Sequence, residues 1–240
     1  SFNGGISNVR IVNGTAVYTS NFTPPTAPLT AITNTSLLIN GTNAGIIDKS
    51  QSVKFLTLNG DVKSSTTQTK YLSSSMYFDG TGDAVSSGSS AKLGTGDFTL
   101  EAWIYPTTLN SNDVFIAEHW GGTTAGFIFR AHTSNYLSLF DGTTNRASST
   151  AIVTNQWQHV AASRENGTLK LFIDGTQVLS VATSSSLNGP GSGESVTVGA
   201  ITNSSGFANY FTGYISDARI TKGLARYTAN FTPPTAALQG

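Results

Sequence analysis

The chain has 240 residues, with 13 Lys+Arg against 13 Asp+Glu, only 11% charged residues and no cysteine. That length can bury a sizeable core without staples, the missing thiols exclude disulfides and thiolate metal sites, and so sparse and balanced a charge leaves no footprint for nucleic acid or an anionic membrane. No apolar run approaches the ~20 residues of a bilayer span, and a start at Ser1, without a Met or a charged-then-apolar segment, reads as a fragment or a processed product.

The periodic segments repeat every two residues, and none makes a convincing helix. Residues 2–12 alternate Ile6, Asn8 and Arg10 with Ser7, Val9 and Ile11, which predicts a strand at about 5–12 hydrogen-bonded to another sheet. Gly14 follows as a turn. Asn21 to Pro28 cannot lie inside a strand, because Pro24, Pro25 and Pro28 lack ladder donors, so it reads as an extended strap or linker. This opening recurs: at a constant offset of 209, Tyr210–Leu238 matches Ser1–Leu29 at 18 of 29 positions, including the block Asn21-Phe22-Thr23-Pro24-Pro25-Thr26-Ala27. The period is too long for a solenoid or a propeller blade and suits a whole sandwich domain. Residues 1–28 therefore read as the closing strand and proline-rich tail of a preceding repeat, or as an extension that caps an edge strand. Residues 29–238 read as one complete domain.

Within that domain Thr35–Asn40 is a short strand and Gly41–Asp48 a loop. Lys54–Leu58 is a strand closed by Asn59-Gly60, a two-residue turn signal, and Asp61–Ser75 is a polar surface excursion. In Phe98–Tyr105, Phe98, Leu100, Ala102 and Ile104 share one face, and Thr99, Glu101, Trp103 and Tyr105 the other. Strands follow over 113–119, 126–131 and 136–140. A meander then runs through Trp157–Ser163, Thr168–Ile173 and Gln177–Val181, with corners at Asn166-Gly167 and Asp174-Gly175 that need positive φ. Val196–Ile201 and Phe211–Ile220 are the last strands. Short strands with regular turn signals predict an all-β fold, a two-sheet antiparallel jelly-roll sandwich with no substantial helix.

Several of these strands resemble a known family in order. Phe98-Thr99-Leu100-Glu101-Ala102-Trp103-Ile104-Tyr105-Pro106 is similar to the F-T-[IL]-E-A-W-[IV]-x-P strand of laminin-G-like (LamG) jelly rolls of the concanavalin A-like lectin/glucanase superfamily. Phe78-Asp79-Gly80-Thr81-Gly82-Asp83, Trp157-Gln158-His159-Val160-Ala161, Leu171-Phe172-Ile173-Asp174-Gly175 and Phe211–Ile220 resemble its other segments. The tail Ala-Arg-Tyr-Thr-Ala-Asn-Phe-Thr-Pro-Pro-Thr resembles the variant found in marine bacteriophage structural proteins and some bacterial surface proteins. The resemblance implies a non-catalytic structural or adhesion module, at a virion surface or otherwise extracellular. Its partners would be other copies of the repeat or neighbouring structural subunits. A glycan-binding lectin domain, calcium-assisted, is the alternative, and a polysaccharide-degrading enzyme the third reading.

The candidate chemistry is thin. The Glu-x-Asp-x-x-Glu strand of sandwich glucanases is absent, and Glu101, Glu118, Glu165 and Glu194 have no carboxylate partner at strand spacing, so no catalytic residue is assigned. For a glycan the candidates are Trp120, at a strand end beside Gly121-Gly122, with His119, Glu118 and Arg130. For calcium, which takes oxygen ligands, Asp79 and Asp83 flank a Gly-rich turn, and Asp48 and Asp217 match family positions across the opening and closing strands. Turn hydrogen bonding is the competing role for all four.

Overall fold

The protein is described from a computed structural model. It describes residues 8–27, 29–40, 46, 50, 55–118, 120–121, 124–188, 195–203 and 205–239, with the backbone alone at 8, 37–40, 120–121 and 124–125. The chain divides into two compact units, Ser1–Gly45 and Ile46–Gly240.

In the first unit Asn8–Val12 pairs antiparallel with Thr35–Asn40, Asn8 opposite Asn40 and Ile11 opposite Leu37. The sequence places the Thr35–Asn40 strand within the 29–238 domain; its hydrogen-bonded partner is the duplicated segment. Asn13 N–H donates to Asn34 O and the Arg10 guanidinium to Thr30 O. Beyond the strand, Tyr18 and Phe22 stack with centroids 3.7 Å apart and planes 12° from parallel.

The second unit is a sandwich of two antiparallel seven-stranded sheets. Sheet I runs, edge to edge, Asn145–Ala151, Tyr136–Phe140, Ile128–His132, Val114–Glu118, Val196–Val198, Ala84–Ser86, Thr57–Asn59. Sheet II runs Thr176–Ala182, Thr168–Ile173, Gln158–Glu165, Phe98–Thr108, Thr212–Lys222, Ser75–Asp79, Lys63–Ser65. The period-two pattern decides which face turns inward. Phe98, Leu100, Ala102 and Ile104 interdigitate with Val160, Ala162, Leu169, Leu171, Phe115, Phe129 and Leu137 between the sheets. The corners at Asn166-Gly167 and Asp174-Gly175 have positive φ at both residues, as a type I′ turn demands.

Asn59-Gly60 makes no hairpin. The strands on either side of it lie in different sheets, so the chain crosses the sandwich edge there. The cause is Asp83, fully buried, whose two carboxylate oxygens accept the N–H groups of Asp61 at 2.8 Å and Asp79 at 3.0 Å. Gly60 passes over it with φ +72, where an added Cβ would lie 2.6 Å from Gly82 O.

The outer face of sheet II is covered by the chain itself. After Thr212–Lys222 the tail turns back across the sheet. Tyr227 O–H donates to Glu101 Oε2 at 2.7 Å. Phe231 stacks on Tyr227 at 3.7 Å, and both rings meet His159 and Phe172 edge-on. Phe231 N–H donates to Gly175 O at 2.9 Å, and Asn230 Oδ1 accepts the Gln177 N–H at 2.8 Å. Beneath this strap Glu101, wholly buried, also accepts from Arg219 (2.9 and 2.8 Å) and from His159 Nε2 at 3.2 Å. The polar excursion after Asp61 joins the same cover: Lys70 lies 4.1 Å over the Trp103 ring and Tyr71 meets it edge-on.

Candidate functional site

The outer face of sheet I carries a second apolar cluster. Val114, Ala117, Ile128 and Ile201 are buried there, with Phe140 and Ala208 packed against them. The hairpin Ile201–Asn203 with Gly206–Ala208 supplies Ile201 and Ala208. Next to this cluster opens a cavity of about 290 Å³ lined by Ile128, Arg130, Phe140, Ile201 and the amides of Asn112, Asn145 and Asn209. Two neighbouring strands furnish one wall, since Ile128 is opposite Phe140, and the Asn145–Ala151 strand lies beyond them.

Arg130 sets the electrostatics of this cavity. It is 8% exposed, its Nη2 donates to Asn145 Oδ1 at 2.9 Å, and its Nε has no hydrogen-bond partner. Burial pushes its pKa down, with no carboxylate acting in the other direction. Buried Arg164 and half-buried Arg219 differ. Arg164 donates to the carbonyls of Gly94, Gly96 and Ser185 and is supported by Asp97 and Asp141; Arg219 is paired with Glu101. Among the described residues Arg130 has no ion pair. Its charge is felt by His132, two residues along the strand, whose pKa is lowered by burial first and by Arg130 second. Asp113 precedes the neighbouring strand, but its Oδ2 accepts the Asn110 N–H and burial pushes its carboxyl up. The arrangement is a concave, largely apolar site with a few convergent polar groups and one uncompensated cation.

Of the four glycan candidates, Glu118 and Arg130 have described side chains, and the two lie in different surroundings. Glu118 is fully buried and holds the loop before Leu93: Oε1 accepts the Ser90 O–H at 2.8 Å and Oε2 the Ala91 N–H at 2.8 Å. Trp120 opens a short pairing of Trp120–Gly121 with Thr124–Ala125, but its side chain, like His119, lies outside the described residues. Of the candidates with described side chains, Arg130 lines the cavity. The amides beside it sit at loops and strand ends, where no sequence pattern marks them; the Asn145 position is visible only once its strand is paired.

Among the calcium candidates, Asp79 and Asp83 do meet, joined by Asp61, with one carboxylate oxygen from each within 4.8 Å of the others. Hard oxygen donors of this kind suit calcium. Asp83 is partly committed, since both its oxygens accept backbone N–H groups. Burial raises its pKa, those hydrogen bonds oppose the rise, and Asp79 and Asp61 add to it. Asp217 stands apart at the bulge of the Thr212–Lys222 strand with φ +51, its Oδ2 accepting the Ser216 O–H at 3.4 Å. Asp48 lies outside the described residues.

Known structures share this architecture at low identity. Domain 4 of the extracellular arabinanase AbnA from Geobacillus stearothermophilus, solved with arabinotriose, is similar at 16% identity and TM-score 0.55, over 72% of this chain and 84% of that one. The receptor-binding domain of botulinum neurotoxin C/D mosaic serotype is similar at 15% and 0.55, over 75% of this chain and 46% of that one. A botulinum neurotoxin type C structure, whose cell entry depends on two ganglioside molecules, is similar at 15% and 0.54, over 74% of this chain and 45% of that one. The chain thus spans less than half of the two neurotoxin chains. No curated protein matches it. The laminin-G family model matches residues 79–225, from the Asp79 corner through both sheets to the start of the strap, and the chain belongs to the concanavalin A-like lectin/glucanase superfamily.

Proposed function

We propose that the sandwich is a non-catalytic, extracellular binding module whose outer-face cavity takes an acidic sugar, with the ligand carboxylate against Arg130. The observation that carries this reading is a buried guanidinium that lines a cavity and has no anionic partner among the described residues. An arginine left so is costly unless a ligand completes it, and its planar fork matches a carboxylate. Phe140, Ile128 and Ile201 offer apolar surface to a sugar ring face, and the three asparagines offer donors and acceptors to hydroxyls. The solved relatives support a sugar ligand: one was obtained with arabinotriose and another concerns ganglioside interaction. The virion or cell-surface setting is supported by the duplicated proline-rich tail and by its resemblance to phage and surface-protein tails.

A glycan array probed with the full chain is expected to retain uronate- or sialate-bearing glycans over their neutral counterparts. Arg130→Met should lower that binding roughly 10–100-fold, the loss of one charge-assisted contact. It should leave the melting temperature equal or higher, because an unpaired buried charge is removed. Equal retention of neutral glycans, or full binding by Arg130→Met, would overturn the reading.

For calcium, the support is the meeting of Asp61, Asp79 and Asp83 at the sandwich edge. Adding calcium to protein stripped with a chelator is expected to raise the melting temperature by a few degrees, by mass action on the folded state. Asp79→Asn should abolish the rise. A melting temperature indifferent to calcium assigns the three carboxylates to the chain crossing alone.

A further inference from the structure

The two copies of the repeat are in different environments. In the second copy Tyr227 and Phe231 stack against each other and lie half-buried on sheet II, against His159 and Phe172. In the first copy Tyr18 and Phe22 occupy the same two places in the repeat. They form the same parallel stack at the same 3.7 Å, yet remain 46% and 52% exposed. The ring pair is preorganised by its own segment, and in the first copy it remains exposed.

The sequence differences between the copies avoid the docking contacts. Residues 15–27 and 224–236 differ at three positions: Thr15 for Leu224, Val17 for Arg226 and Ser20 for Ala229. The side chains that hold the second strap to sheet II are Tyr227, Asn230 and Phe231, and all three are retained as Tyr18, Asn21 and Phe22. Leu224 and Arg226 reach the sheet through backbone groups, Leu224 O accepting from Thr99 Oγ1 and Arg226 N–H donating to it. The Arg226 side chain donates to Thr221, within its own segment, and that pair changes together to Val17 and Val12. Arg219, which meets Glu101, is kept as Arg10.

We infer that residues 15–27 are a docking strap for a second sandwich of this kind, seated on a sheet face equivalent to Glu101, His159, Phe172 and Gly175 here. This chain's own face is filled by residues 224–236, so the acceptor is a sandwich whose own strap position is open. Strap and acceptor face are different surfaces.

The test opens the acceptor face in the full chain. Tyr227→Ala/Phe231→Ala should create a site that the Tyr18/Phe22 strap of another molecule can enter. Sedimentation over a concentration series is expected to show association of this variant and a monomeric wild type. Association should disappear when Tyr18→Ala/Phe22→Ala is added. A folded, monomeric double variant, or association indifferent to Tyr18 and Phe22, overturns the inference. A second variant serves where the first does not fold. Leu224→Thr/Arg226→Val/Ala229→Ser places the first strap's sequence on this chain's own sheet. Its melting temperature is expected within about 3 °C of wild type; a loss as large as that of Phe231→Ala shows that the first strap does not fit the face.

Discussion

Glu101→Ala is expected to destabilise the sandwich by about 3–5 kcal/mol, a fall in melting temperature of roughly 6–20 °C. Glu101 lies beneath the strap with no exposure, and Arg219, Tyr227 and His159 all donate to it. An ionised carboxylate accepts, so the proton of the His159–Glu101 contact sits on Nε2. Removing the carboxylate leaves three donors without their acceptor, one of them a guanidinium, and also loosens the end of the strap. Burial opposes ionisation of Glu101, but hydrogen bonds from His159, Tyr227 and Arg219 outweigh it, and its pKa is lowered. Asp141, held by Arg146, Thr143, Thr144 and Thr183, is also lowered despite burial. Groups with depressed folded values contribute stability that is complete above their unfolded values of about 4 and is lost as pH falls through the folded ones. Asp83 works in the opposite sense: its raised value costs stability as pH rises. Wild type should therefore lose melting temperature below about pH 4, and the gap between wild type and Glu101→Ala should narrow over the same range. Thermal melts from pH 3 to 8 measure both; a gap that widens on acidification would show that Glu101 is not ionised in the folded protein.

Gly175→Ala is expected to cost about 3 kcal/mol, against about 1 kcal/mol for Gly167→Ala. The two glycines occupy the same place in matching two-residue turns, with φ +75 and +76, so the strain of a side chain in the left-handed region is common to both. They differ in what lies above. A Cβ at Gly167 meets nothing closer than Thr183 O at 3.6 Å, while one at Gly175 would overlap the Phe231 carbonyl oxygen and lie 2.9 Å from its carbon. The difference isolates strap docking. Expulsion of the strap also forfeits the contacts of Tyr227 and Phe231 with His159 and Phe172, each aromatic pair worth about 0.5–1.5 kcal/mol. Trypsin should then cut faster after Arg226 in Gly175→Ala than in Gly167→Ala. Equal melting temperatures for the two variants would show that the strap contributes nothing to the stability of sheet II.

The sheet faces, the two I′ corners and the duplicated tail follow from the sequence, because each depends on local rules. A period of two sorts Phe98, Leu100, Ala102 and Ile104 from Thr99, Glu101 and Trp103 without knowledge of any partner. Asn-Gly and Asp-Gly ask for positive φ wherever they stand. The same local rule misread Asn59-Gly60, since a tight turn carries no information about whether its strands rejoin one sheet. Asp83, far along the chain, decides that by capturing Asp61 and Asp79. Pairing was equally non-local for Thr35–Asn40, which reads as a strand but whose partner is the first copy of the repeat. The candidate site was the least legible. Arg130 is recognisable in sequence as a polar residue on a strand, and Arg164 follows directly on another. What separates them is whether distant groups satisfy the buried charge, and only the folded chain places three carbonyls around Arg164 and a cavity beside Arg130.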